Sequence, residues 1–271
     1  MKTLQGRTAA ITGAASGLGR AMAIAFAKEG MKLALADVDE KGLEETARLA
    51  NGAACTRVDV SKPADVDAFA ASLKEVHVVC NNAGVSPLGP LWESTLQDWQ
   101  WALGVNLWGV IHGVRAFVPR LVAQGEGHVV NTASVAGLIS PPGMGIYNVS
   151  KHAVVALSES LYHDLRVQNS PVGVSVLCPA YVQTGISNSE RNRPKELANT
   201  SQSERVKALQ ATLKKAVSSG KLSADDVARA VVAAVKEERF YILTHPRIKG
   251  AVRARMEDVL DERAPRNPLA L

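Results

Sequence analysis

TAAITGAASGLG, residues 8–19, is the stretch whose reading decides the fold. Thr8 to Thr12 form a short uncharged run, of the kind that is buried on both faces of a sheet. It passes without a break into a turn containing Gly13, Gly17 and Gly19, and a helical pattern opens there, near residues 18–29. Outward from this unit the alternation repeats. Further apolar runs stand at 33–37, 53–59, 76–81, 128–134 and 172–178, with helical stretches near 40–50, 63–74, 95–123 and 147–168. A late helix at about 223–236, a short strand at 240–243 and a basic helix at about 247–262 complete the chain. Continuous apolar strands bracketed by helices predict a parallel sheet covered on both faces. With right-handed crossovers this is an α/β, doubly wound, Rossmann-type sheet of about seven strands. No repeat or long Gly/Ser linker divides the chain, so residues 1–271 read as a single domain.

Residues 185–221 interrupt the pattern. They are polar, helix-tolerant and too poor in large apolar side chains to be sheet core. An excursion at the carboxyl end of a late strand lies where a substrate lid would sit, with a surface insertion as the plain alternative.

Composition narrows the classes. An apolar fraction of 46% with only 4% aromatic residues implies a large core built from Ala, Val, Leu and Ile. No apolar run approaches the roughly 18 residues that suggest a membrane span. The N-terminus lacks the apolar stretch and cleavage site of a secretory signal, so a cytoplasmic protein with no membrane partner is expected. Cys55, Cys80 and Cys178 form no CxxC pair, and the six histidines form no HExxH pair; neither a disulfide framework nor a metal site is expected. Cys80 and Cys178 end apolar runs and read as buried thiols. From Gln183 onward 17 Lys/Arg face 11 Asp/Glu. Because acids are interleaved with the bases at helical spacing, this reads as a solvated helix face, and no nucleic-acid partner is expected.

The glycine turn carries the first chemistry. Its G-x-x-x-G-x-G spacing is one residue longer than the G-x-G-x-x-G dinucleotide fingerprint, but the physical role is the same. Glycine permits the tight turn and close backbone approach, and the helix N-terminus favours a pyrophosphate. Asp37 ends the second strand, 24 residues after Gly13. A carboxylate there accepts hydrogen bonds from ribose hydroxyls and repels a 2′-phosphate. With Val38 following and Ser16 in the loop, NAD is expected over NADP; the alternative for Asp37 is a strand-end turn residue.

Tyr147 and Lys151, in YNVSK, are four apart and share one helix face. Asp59–Val60, NNAG at 81–84, Asn106 in VNLWG and Ser134 in NTAS stand upstream in that order. With the glycine loop, these pieces make the chain resemble the NAD(P)-dependent short-chain dehydrogenase/reductase family over about residues 6–186. The resemblance implies that residues 12–19, including Ser16 and Leu18, hold the pyrophosphate. It places Asp59 and Val60 beside the adenine, and Asn82, Ala83 and Gly84 along the adenosine and ribose. Val182 and Thr184, in PAYVQT, would contact the nicotinamide carboxamide; Ala180 stands there where most members have Gly. Asn106, Ser134, Tyr147 and Lys151 would be the catalytic group. The chemistry requires such types. Loss of hydride from an alcohol carbon needs loss of the hydroxyl proton, and a nearby ammonium makes a phenol, with a pKa of about 10, a better base. Ser134 can hold the substrate oxygen, and Asn106 would hold a water leading from Lys151 to solvent.

Leu138, Ile139 and Met144 precede Tyr147 and are expected, with Ser134 and Tyr147, to contact the substrate, a hydrophobic secondary alcohol or ketone. For Trp92, Trp99 and Trp101 helix packing is the reading for at least two. A catalytically silent nucleotide sensor of the same fold is the alternative function. Family members commonly pair their two long helices, implying a homodimer or homotetramer here. Trp108, Val110, Ile111, Val114, Phe117 and Val118 offer more apolar surface than one core face needs.

Overall fold

The computed structural model describes residues 1, 3–199 and 203–270. Strand β1 (Thr8–Thr12) is buried at every position and lies between β2 (Lys32–Asp37) and β4 (Val78–Asn81). With β3 (Ala54–Arg57), β5 (His128–Thr132), β6 (Gly173–Leu177) and β7 (Tyr241–Ile242) it forms one parallel sheet of order β3-β2-β1-β4-β5-β6-β7. The order reverses between β1 and β4, which opens a crevice beyond their carboxyl ends.

Alternate residues of β1 point to opposite faces, as strand geometry requires. Ala9 and Ile11 pack with Met22 and Phe26 of α1 (Gly17–Lys28) and Val231 and Val235 of α8 (Ala224–Glu237). Ala10 faces the other layer, where Phe69 of α3 (Pro63–Ser72) meets Phe117 of α5 (Gly109–Gln124) edge to face at 6.0 Å. Helices α2 (Glu40–Leu49), α6 (Gly145–Val167) and α9 (Ile248–Leu260) complete the predicted set. Cys80 and Cys178 are buried free thiols and Cys55 is exposed. Among the described residues, no helix is long and apolar enough to cross a membrane.

Three differences from the sequence reading have physical causes. The helix expected over 95–123 is α4 (Leu96–Leu103), a π-helical turn Gly104–Trp108, and then α5. The amide of Gly109 reaches back five residues to the Gly104 carbonyl. Glycine is needed there because a Cβ on Gly109 would stand 2.8 Å from Val60 Cγ2. The polar 185–221 stretch is more ordered in form than expected. It contains 3₁₀ turns at Gly185–Asn192 and Lys195–Leu197 and a full helix, α7 (Glu204–Ser218), whose N-cap Ser203 accepts from the Val206 amide. Residues 200–202 of that stretch lie outside the described residues. Finally, Val110, Phe117 and Val118 are consumed by the chain's own core, so of the residues offered for self-association only Trp108 is a large exposed one.

Candidate active site

A cavity of about 900 Å³ runs along the crevice at the carboxyl ends of the strands. Its floor is tied together by Asn82, just beyond β4. The Asn82 side chain donates to the Thr12 carbonyl at 3.0 Å and accepts from Thr132 Oγ1 at 3.2 Å, while Thr12 Oγ1 accepts from the Asn82 and Ala83 amides. Backbones approach so closely that a Cβ on Gly13, whose φ is +67°, would lie 2.7 Å from Ala83 Cα. The Cβ of a residue at 19 would meet the Gly13 carbonyl oxygen at 2.0 Å. Gly19 therefore shapes the loop from within, whereas Gly13, Ser16, Gly17 and Leu18 line the cavity.

These features fit a dinucleotide. Helix α1 begins at Gly17 with no side-chain cap on its N-terminus and no acidic residue in its first turn, leaving its amide dipoles free for an anion. Asp37 is fixed at the end of β2 by the Ala15 and Asp39 amides, at 3.0 and 3.1 Å, and its side chain faces the same cavity. Asp59, Val60, Asn82, Ala83, Gly84, Val182 and Thr184 all line that cavity as well. Ala180, standing where most family members have Gly, gives its amide to His245 Nδ1 and is not left-handed, so the backbone here does not demand glycine.

At the other end stand Ser134, Tyr147 and Lys151. Ser134 follows β5, and its hydroxyl donates to the Pro179 carbonyl at 3.3 Å and accepts from the Ala136 amide at 3.1 Å. Lys151, one helical turn after Tyr147 on α6, is 2% exposed; its ammonium lies 5.6 Å from the phenol ring centre and donates to the Thr132 carbonyl at 2.8 Å. Burial dominates both titrations. It raises Tyr147 above the usual phenol range, opposed by the neighbouring Ser134 hydroxyl, and lowers Lys151 to about 8. Lys151 thus keeps its proton at pH 7 with little to spare.

Asn106 is brought to this group but does not line the cavity. It is fully buried in the π turn, where its side chain exchanges hydrogen bonds with the Val85 backbone at 2.8 and 2.9 Å and donates to Ser150 Oγ at 3.0 Å. It thereby joins α6, the loop after β4 and the interrupted helix. π turns recur at functional sites because they re-aim backbone and side chains.

The expected substrate contacts fare differently. Ile139 is 3% exposed in the interior, Leu138 packs into the cluster around Val154 and Cys178, and Met144 sits at the entry of α6; none of the three lines the cavity. Nearness to Tyr147 in sequence does not set where their side chains point. Val85, Val182 and Ile186 supply apolar wall instead, along with Trp99 and Trp101, while Trp92 is 80% exposed. Sequence reading also passed over Arg57, which lies in register with Asp37 on β3 and lines the cavity. It passed over Arg191 and Arg193, from the 3₁₀ segment and the stretch after it, because charges in a polar run resemble solvated surface. The cross-strand register signals the first; nothing local signals the other two.

The short chain dehydrogenase family pattern matches residues 7–195. The chain belongs to the short-chain dehydrogenase family. A short-chain dehydrogenase/reductase from Burkholderia phymatum, solved in complex with NAD, is 52% identical, with both chains covered completely and a TM-score of 0.97. The CLA biosynthesis dehydrogenase/reductase of Lactiplantibacillus plantarum is 34% identical over 98% of this chain and 97% of that one. The 1-deoxy-11-beta-hydroxypentalenate dehydrogenase of Streptomyces avermitilis is 38% identical over 89% and 86%. As a member of this family the protein is an NAD(P)-dependent oxidoreductase acting on CH–OH groups.

Proposed function

We propose that this short-chain dehydrogenase interconverts a hydrophobic secondary alcohol and its ketone, with Tyr147 as acid and base and NAD(H) as the preferred cofactor. The observation that carries this reading is that Ser134, Tyr147 and Lys151 wall the same cavity as the glycine loop and Asp37. The nicotinamide, when bound, takes or gives the hydride. Ser134 positions the substrate oxygen, and the Tyr147 hydroxyl gives it a proton in reduction or takes one in oxidation. Burial keeps the phenol protonated at neutral pH, which suits it to protonate a developing alkoxide. In the oxidative direction the Lys151 ammonium favours the phenolate, and a water held by the Asn106 main chain would take the proton from Lys151 to solvent.

The NAD preference rests on the Asp37 carboxylate and on the likeness to the NAD-bound Burkholderia protein. Arg57, beside Asp37 in register, is the group that could accept a 2′-phosphate. A hydrophobic substrate is supported by Val85, Val182 and Ile186 in the wall and by a relative named for a hydroxypentalenate. Residues 185–221 are the stretch expected to act as a lid, and Gly185, Ile186, Ser189, Arg191 and Leu197, from its first part, line the cavity and support reading 185–199 as its roof. Trp108 and Val149, half exposed near or on the long helices, support self-association.

The test is a panel of secondary alcohols and ketones with NAD(H) and NADP(H), followed by reduced-nicotinamide absorbance, on the parent and Tyr147→Phe. The variant should lose at least ~100-fold in kcat while binding NADH as before. A parent that binds NADH but turns over no carbonyl would favour the silent-sensor alternative.

A further inference from the structure

We propose that Arg191 binds the pyrophosphate of the dinucleotide, so that the roof of the cavity is itself part of the cofactor site. This rests on the dinucleotide reading above and adds a residue to it from outside the glycine loop. The Arg191 guanidinium spans 175 positions of sequence to reach Ser16 Oγ at 3.4 Å, and it lines the cavity with Gly13, Ser16, Gly17 and Leu18. Its fork is aimed by two neutral acceptors on its own segment, the Gly185 carbonyl at 3.1 Å and the Asn188 carbonyl at 2.8 Å. Among the described residues, no carboxylate pairs with it.

The contrast with other cations nearby is chemical. Arg20, on α1, is committed to the Ala15 carbonyl, Thr46 and Glu45. Lys62 lies 3.8 Å from Asp59. Arg193, two residues from Arg191, has a side chain only 5% exposed; it is paired with Asp98 at 2.6 Å and Glu190 at 2.7 Å and stacks over Trp101 at 4.2 Å. Asn199 adds a bond to the same Asp98 at 2.8 Å. Arg193 therefore clamps the roof to α4 and holds Arg191 in place, while Arg191 keeps its charge free over the phosphate loop. Thr184 Cβ would lie only 3.2 Å from a Cβ on Gly17, so the start of the roof rests against that loop. A guanidinium matches phosphate oxygens bidentately, and with the free amides of α1 it would face the pyrophosphate from the opposite side.

Calorimetric titration with NADH and with ADP-ribose, which keeps the pyrophosphate and lacks the nicotinamide, tests this. Arg191→Met should weaken both by roughly tenfold or more, with a shallower dependence on salt. Arg191→Lys should recover part of the loss. Arg191→Gln, which keeps hydrogen bonding without charge, should resemble the methionine variant, and a melting temperature near the parent's shows that each variant is folded. Unchanged ADP-ribose affinity in folded Arg191→Met and Arg191→Gln, with the parent binding normally, overturns the role of Arg191 alone. A parent that binds neither NADH nor NADPH overturns the dinucleotide reading and this inference with it.

Discussion

Replacing Lys151 by Met should make the protein less active and, at neutral pH, no less stable. The ammonium is 2% exposed, and burial lowers its pKa from 10.5 to about 8. At 1.36 kcal/mol per pH unit, that gap means that keeping Lys151 charged costs the fold about 3 kcal/mol. The folded pKa is the lower one, so between about 8 and 10.5 the unfolded chain binds more protons and stability rises with pH. The cost is present in full below about 8 and is relieved toward 10.5. Methionine removes it but orphans the Thr132 carbonyl, now bonded at 2.8 Å, at a cost of about 1–3 kcal/mol. Lys151→Met should therefore match or exceed the parent by up to about 2 kcal/mol at pH 7 and lose about that much of its advantage by pH 10. Burial raises the pKa values of Tyr147 and Cys178, which favours their protonated forms in the folded state of both proteins, so they add little to the difference. Urea unfolding at several pH values from 7 to 10, alongside turnover, is the assay. A parent–variant difference that stays flat across that range would refute the buried, strained ammonium and the role built on it.

Two further outcomes concern the frame. Gly19→Ala should lose about 1–3 kcal/mol of stability and weaken NADH binding, since the new methyl would meet the Gly13 carbonyl at 2.0 Å; an unchanged urea midpoint would contradict this. Buried His128, whose Nε2 lies 2.7 Å from Ser175 Oγ, has its pKa lowered to about 4, chiefly by burial. Its folded pKa lies below the ordinary 6.5, so stability present above pH 6.5 should drain away toward pH 4, by about 3 kcal/mol in all. His128→Gln should flatten that acid limb in unfolding curves, and an equally steep limb in the variant would count against it.

The central strands were legible because burial on both faces leaves an uninterrupted uncharged run: residues 8–12 are β1 to the residue. The phosphate loop and the Ser134–Tyr147–Lys151 group were legible because backbone turns and helical spacing place them locally. The π turn was not, since one extra residue in a helix leaves the apolar periodicity on either side intact. Side-chain direction also escaped: Ile139 follows Ser134 closely yet turns into the interior. Arg57 needed strand register and Arg193 needed a partner 95 residues away, and neither relation is written in local sequence.

Asn82 has a consequence for how new chemistry could arise on this scaffold. One amide staples the ends of three neighbouring strands, so the crevice cannot gape to admit a bulkier ring system. Room has to be carved from above, by recutting residues 185–199 or their moorings on α4. Selection or design can thus retailor the substrate while the proton-handling bench beneath is left undisturbed.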